Sequence, residues 1–215
     1  GRPMQILMIA AAVAIAPPAW LYPQAMGAAN EPATDTLVSV PGSRVKLAER
    51  DVHNRQLAAN WFPQDQPPPP AVVLKSPPGG FACGYCHMPN GIGHPQNISI
   101  AGLPEAYVIA QFAAFRSNQR KAAQPGYIPN ASMTRVAGQA SDAEIAETAR
   151  YYSRLPYRSL IRVREVRQAP KVVATGLVWT RVPGPPEPIN GRIVELMDKP
   201  EDSILHNPRG RSTAY

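Results

Sequence analysis

The sequence predicts a mainly α compact domain at residues 81–156, held between Pro-rich extended arms and followed by a short β hairpin. Three observations predict it. First, the 215 residues include 26 prolines, more than twice the usual share of about 5%. They cluster at 67–70, 77–78 and 183–188, and such runs favour extended chain over helix or sheet. Second, two helical stripes lie between residues 104 and 155. Third, two segments rich in β-formers follow between 161 and 182. A chain of this length holds one or two domains and can bury a core.

Residues 1–22 begin with Arg2 and an apolar run, Met4 to Ala16, interrupted only by Gln5. Pro17, Pro18 and the apolar patch Ala19–Tyr22 follow. The run alone has the length of a signal-peptide core. Taken from 4 to 22 as a helix it rises about 28 Å, just enough to cross a bilayer core. A signal anchor or transmembrane helix is therefore expected at 1–22, with a cleaved signal as the alternative. Residues 23–80 show weak periodicity and many prolines, which predicts an extended arm with short helical pieces, one of them over 46–60.

Within 81–156 the pattern sharpens. In PEAYVIAQFAAFRSNQR (104–120), Tyr107, Val108, Gln111, Phe112 and Phe115 form one helical stripe, and Pro104 suits a first helical position. In SDAEIAETARYYSRL (141–155), Ser141 and Glu144 make a capping-box pair. Ile145, Ala149 and Tyr152 line one face, and Pro156 stops the helix. The stretch between these helices, with Met133, reads as a loop. Residues 157–215 form a β and extended arm. There Ile161, Val163 and Val166 alternate roughly with arginines, and KVVATGLVWTRV (171–182) is rich in β-formers.

The formal charge of +7 suits anionic partners. No nucleic-acid motif and no interleaving of aromatic with basic residues is recognisable, which removes nucleic acid from the partners. Arg154, Arg158, Arg162, Arg164, Arg167, Lys171 and Arg181 stand against Glu165 alone between 154 and 181. They are a candidate docking face for an acidic redox partner or anionic lipid. A solvated strand face is the plainer alternative.

The two cysteines, Cys83 and Cys86, sit in CGYCH with His87 directly after. C-x-x-C-H is the attachment signal for c-type haem. Two thiols at this spacing meet the two vinyl groups of the porphyrin, and the next residue supplies the proximal imidazole. The rivals are weaker. A structural zinc site needs four ligands, and a histidine abutting the second cysteine closes a tetrahedron poorly, even with His94 available. A thioredoxin-like pair needs an α/β setting, and SPPGG precedes the motif here. A plain disulfide does not require His87.

Iron held by His on one side and Met on the other suits electron transfer. Met88 adjoins His87 and cannot reach the far face. Met4, Met8 and Met26 lie in or near the apolar segment, and Met197 lies far along the tail. Met133 remains as the candidate sixth ligand. His94 is the alternative, with a surface histidine as its blander reading. His53 and His206 fall in the arms and are expected to be solvated.

With these residues in place, 81–155 resembles the class I cytochromes c, and most of all the small periplasmic and di-haem cytochromes of bacteria. The resemblance rests on CGYCHMPNGIG, on AGLPEAYVIAQFAAFRSNQRK, and on Met133 followed by VAGQASDAEIAETARYY. Tyr107, Gln111, Phe115, Ser141, Asp142, Glu144, Ile145 and Tyr152 match the family's order and spacing. Two departures stand out. VLKSPPGGFA replaces the amphipathic helix that the family places before its haem motif, so that helix is expected to be absent or very short. The tail, INGRIVELMDKPEDSILHNPRGRSTAY, is similar to a linker leading to a second haem domain, but no second C-x-x-C-H follows.

The resemblance implies one covalently bound haem c, with Cys83, Cys86, His87 and Met133 around it. Tyr107, Gln111 and Arg120 are further cofactor-binding candidates. Phe81, Tyr85, Ile98, Leu103, Phe112 and Tyr152 are expected in its apolar wall, and Arg116, Arg120 and Lys121 near its propionates. The expected function is membrane-anchored, mono-haem transfer of single electrons, without substrate chemistry, on the periplasmic side of a bacterial inner membrane. The expected partners are a protein donor and acceptor, in a larger respiratory or photosynthetic complex. The alternatives are a haem peroxidase or sensor with an open iron position, and a zinc-bound interaction module.

Overall fold

The computed structural model describes residues 33–122, 127–175 and 178–215, without the side chains of residues 174, 175 and 178. The expected membrane segment at 1–22 lies outside the described residues. Among the described residues, no helix is long and apolar enough to cross a membrane.

The long helices are consecutive in the chain. Three helices of 12 residues each, α4 (Glu105–Arg116), α5 (Ile128–Gln139) and α6 (Asp142–Ser153), make one block. Val108, Phe112 and Phe115 of α4 are buried against Ala137 of α5 and against Ile145 and Ala149 of α6. Their spacing puts the apolar side chains on one helical face, and burying that face holds the three helices together. The expected capping box is present at the start of α6. The Ser141 hydroxyl accepts from the Glu144 amide at 3.2 Å, and the Ser141 amide donates to the Glu144 carboxylate at 2.8 Å.

Ahead of this block are four one-turn elements: α1 (Glu49–Val52), a 3-10 turn (Pro63–Asp65), α2 (Ala71–Leu74) and α3 (Cys83–His87). The helix expected over 46–60 is reduced to α1, preceded by the strand β2 (Leu47–Ala48), which pairs antiparallel with β1 (Leu37–Val38). The helix before CGYCH, expected to be absent or very short, is α2, of one turn. It approaches α3 closely, because a Cβ on Gly84 would lie 2.7 Å from the Val73 carbonyl oxygen. Glycine is required at this contact.

Although the sequence of 33–80 reads as an extended arm, the segment carries a core of its own. Val40, Val52, Ala59, Trp61 and Phe62 are buried together, with Leu205 packed against them. Proline removes helical amides but leaves apolar side chains free to pack, so a Pro-rich stretch folds on non-local contacts.

The remaining strands follow α6. β3 (Ile161–Val163) pairs parallel with β9 (Ser212–Ala214), which pairs antiparallel with β8 (Glu195–Met197). β4 (Gln168–Ala169) pairs with β7 (Glu187–Pro188), and β5 (Val172–Thr175) pairs antiparallel with β6 (Val178–Arg181). The short helix α7 (Pro200–Ile204) leads back from β8. Ala169, Val172, Val194 and Leu196 form the buried centre of this part.

Candidate functional site

In α3 (CGYCH) the two cysteines are three residues apart and His87 is four residues beyond Cys83, so the three side chains share one side of a single helical turn. Both cysteines are free thiols. Burial pushes the Cys83 thiol up to about 11, although the Thr148 hydroxyl, 4.0 Å from its sulfur, pulls the other way. Burial, with the neighbouring Cys83 adding to it, pushes Cys86 up to about 12. Both are neutral thiols at physiological pH.

The His87 Nδ1 lies 2.9 Å from the Ile98 carbonyl oxygen. A carbonyl only accepts, so Nδ1 carries the proton and Nε2 keeps its lone pair for a ligand. Burial lowers the His87 pKa, which the Ile98 carbonyl partly offsets. The ring is therefore neutral, the form that binds a metal.

These three side chains line one wall of a mostly apolar cavity of about 290 Å³. Leu103, Val108, Phe112, Phe115 and Val136 supply its apolar surface. Met133 lines the same cavity. Its position corrects the expectation of a loop, because Met133 lies within α5. Tyr107, Gln111 and Arg120 also line this cavity, so the structure brings together all seven residues singled out as a site. Arg120 donates to the Gln111 side-chain oxygen and stacks over Phe115, its guanidinium carbon 5.2 Å from the ring centre.

Other expectations are redistributed. Phe81, Ile98, Leu103 and Phe112 line the cavity; Tyr85 and Tyr152 do not. Tyr152 is fully buried behind it, and its hydroxyl donates to the Met88 carbonyl at 3.0 Å. Neighbouring Tyr151 donates to the Pro89 carbonyl at 2.7 Å, so the two tyrosines fix the chain just after His87. Arg116 turns away from the cavity and clamps α4 to the other helices. It donates to the carbonyls of Ala137, at 2.6 Å, and Ala140, and pairs with Asp142 at 2.6 Å. Lys121 is exposed and outside the cavity lining.

Of the three histidines read as surface or solvated residues, His53 is exposed and the other two are not. His94 is buried, and His206 is largely enclosed rather than solvated. Their rings share a hydrogen bond of 3.1 Å between His94 Nε2 and His206 Nδ1. His94 therefore stands outside the cavity that Met133 lines. Among the residues that the sequence reading missed are Thr148, Gln96, Tyr127 and Asn130, all in the cavity lining. The spacing of Met133, Val136, Ala137 and Ala140 was a usable signal for α5, and with it for Asn130 one turn before Met133.

The residues fit a covalently held haem. Two unpaired thiols, an imidazole with one nitrogen fixed, and a thioether sulfur surround one apolar cavity. Among the described residues, no cluster of three or more His, Cys, Asp or Glu side chains is placed to hold a metal ion.

No family model matches the chain. A curated relative, the "Thiosulfate dehydrogenase electron acceptor" of Thiomonas intermedia (strain K12), is 34% identical over 88 residues. The match covers 40% of this chain and 37% of that protein, so the chain spans little more than a third of the relative. Among solved structures, a thiosulfate dehydrogenase from Marichromatium purpuratum is similar over 40% of this chain and 17% of its own. Its identity is 30% and its TM-score 0.34. Reduced cytochrome c4 from Pseudomonas stutzeri is similar over 36% of this chain and 40% of its own, with 29% identity and a TM-score of 0.31.

Proposed function

We propose that this chain, which contains a class I cytochrome c-like segment, is a mono-haem electron carrier. The observation that carries the reading is the convergence of Cys83, Cys86, His87 and Met133 on one apolar cavity. Cys83 and Cys86 provide the two thiols for covalent attachment. His87 presents Nε2, because Nδ1 is committed to Ile98. Met133 presents a soft thioether sulfur from α5. When bound, haem supplies an iron that gains and loses one electron.

The remaining residues set the environment. The apolar lining from α4 and α5 excludes water, which favours the less charged, reduced state. Arg120, steadied by Gln111, offers a cation at the cavity for the haem carboxylates. Tyr107 is 42% exposed and lies at the rim. The name of the Thiomonas relative, an electron acceptor, supports a carrier rather than an enzyme. Protein donors and acceptors are its partners. We place it on the periplasmic side of a bacterial inner membrane, held through residues 1–22 within a larger respiratory or photosynthetic assembly. The apolar run at 4–22 supports the anchor, and a net charge of +7 suits acidic partner faces.

A pyridine haemochrome assay on the chain expressed with haem-attachment capacity tests the reading. One haem per chain is expected, with low-spin six-coordinate iron after reduction. Cys83→Ala with Cys86→Ala should lose covalent haem. Absence of haem overturns the proposal, and so does five-coordinate high-spin iron in the reduced parent protein. Recovery of the full chain in the aqueous fraction without detergent overturns the anchor.

A further inference from the structure

The segment 205–209 returns to the side of α3 away from the cavity. Trp61 Nε1 donates to the Leu205 carbonyl at 2.6 Å. The His206 ring lies 4.6 Å from the ring of Tyr85, which stands between the two cysteines. Asn90 donates to the Pro208 carbonyl at 3.3 Å. Arg209 makes two hydrogen bonds to Asp65, at 2.8 and 2.6 Å, and lies 3.7 Å over the Phe62 ring. Trp179 of β6 donates its amide to the Gln96 side chain at 2.9 Å. Three side chains of the 90–96 loop are therefore held by residues beyond 178.

His94 is the central one. Its amide and carbonyl bond reciprocally to the carbonyl and amide of Asn97, both at 2.9 Å, closing a tight turn. The next residue is Ile98, whose carbonyl accepts from His87 Nδ1. The Gly93 amide donates to the His87 carbonyl at 3.0 Å, tying the start of the same turn to the ligand residue. A shift of the His94 ring thus moves the turn that carries the acceptor of the His87 proton.

We propose that His94 and His206 are positioning residues for His87: their ring-to-ring hydrogen bond holds the 94–97 turn so that the Ile98 carbonyl keeps the proximal imidazole in register. The inference rests on the haem reading above and deepens it. A firm bond from Nδ1 makes the imidazole more electron-rich, and that favours the oxidised iron. Loosening the turn weakens the bond and moves the midpoint potential upward. Loss of packing alone admits water and moves it downward, because a polar site also favours the oxidised, more charged state.

The test uses the full haem-loaded chain, after the haemochrome assay on the parent. Absence of haem in the parent defeats the function itself, independently of this inference. His94→Leu removes the ring bond, while His94→Gln retains a hydrogen-bonding amide near the Nε2 position. His206→Gly removes the same bond from the other side without backbone cost, since His206 has φ +51°. It serves if His94→Leu fails to fold. Two readouts apply: the midpoint potential, and solvent exchange of the His87 Nδ1 proton by NMR in the reduced protein. An upward midpoint shift and about tenfold faster exchange are expected, as for loss of about 1.4 kcal/mol. His94→Gln should restore both. An unchanged or lowered midpoint with parental exchange overturns the proposal, even if the unfolding midpoint falls.

Discussion

Gly93 shows how tightly a single residue constrains the site. Its φ is +75°, and a Cβ would lie 2.1 Å from the Asn97 carbonyl oxygen and 2.7 Å from that of Ile98. The second oxygen is the one that holds His87. Gly93→Ala must push this turn apart, and we expect it to destabilise the chain by about 2–4 kcal/mol. Urea unfolding at constant slope measures this. Tyr152→Phe removes one bond to a buried carbonyl that still receives the Gly91 amide, so about 1 kcal/mol is expected in the same assay. The thiols and His87 are legible in the sequence because the C-x-x-C-H spacing itself marks them. The Ile98 acceptor is not, because a backbone carbonyl leaves no mark on residue identity. The sequence also hides the enclosure of His206, whose partners Tyr85 and His94 lie more than a hundred residues away.

Among the elements, α6 and α5 differ in how openly the sequence announces them. Ser141 and Glu144 mark the start of α6, and both halves of the box form. Ser141→Ala should cost about 1 kcal/mol, read as a lower thermal midpoint, with no change in the haem spectrum. α5 begins at Ile128-Pro129, contains Gly138, and lacks any side-chain cap, so its local sequence resembles a loop. Tertiary contact decides it instead. Ala137 is fully buried against α4 and α6, and Met133, Val136 and Ala140 pack around it. Arg116 adds the bonds to the α5 carbonyl at 137 and to that of Ala140, which caps the helix. Arg116→Met keeps the aliphatic stem and loses those donors. It should lower stability by about 1–2 kcal/mol and loosen α5, and with it Met133, which a weaker Met-ligation signature in the spectrum of the loaded protein would report.

Across the whole molecule, the buried histidines set an acid limit. Burial, together with the nearby His206 and His87, lowers His94 to about 3; burial and the charge of His53 lower His206 to about 4. In the unfolded chain both titrate near 6.5. Above that pH neither state takes up protons at these positions, and stability is fully present. Below it the unfolded chain binds protons that the folded chain refuses. Stability should fall as pH drops from about 6.5 towards 4, by up to about 1.4 kcal/mol per pH unit for each histidine. Urea midpoints at pH 7 and pH 5 compare the two ends, and His94→Gln should flatten the slope. The sequence shows four histidines and their spacing. It does not show that two of them meet, because that contact depends on a segment from the far arm.

The bonds from Trp61 to Leu205 and from Arg209 to Asp65 each join residues 144 positions apart. The helices around the cavity are instead neighbours in the chain. The entropy of closing a loop must be met before a distant contact gives anything back, so short-range structure forms first. The wall that holds Cys83, Cys86 and Met133 is therefore built early in folding, while the backing behind α3 closes late. For that interval the two thiols stand on a formed surface that is still open from behind, and the distant arm acts in time as a latch that shuts after the pocket has taken shape.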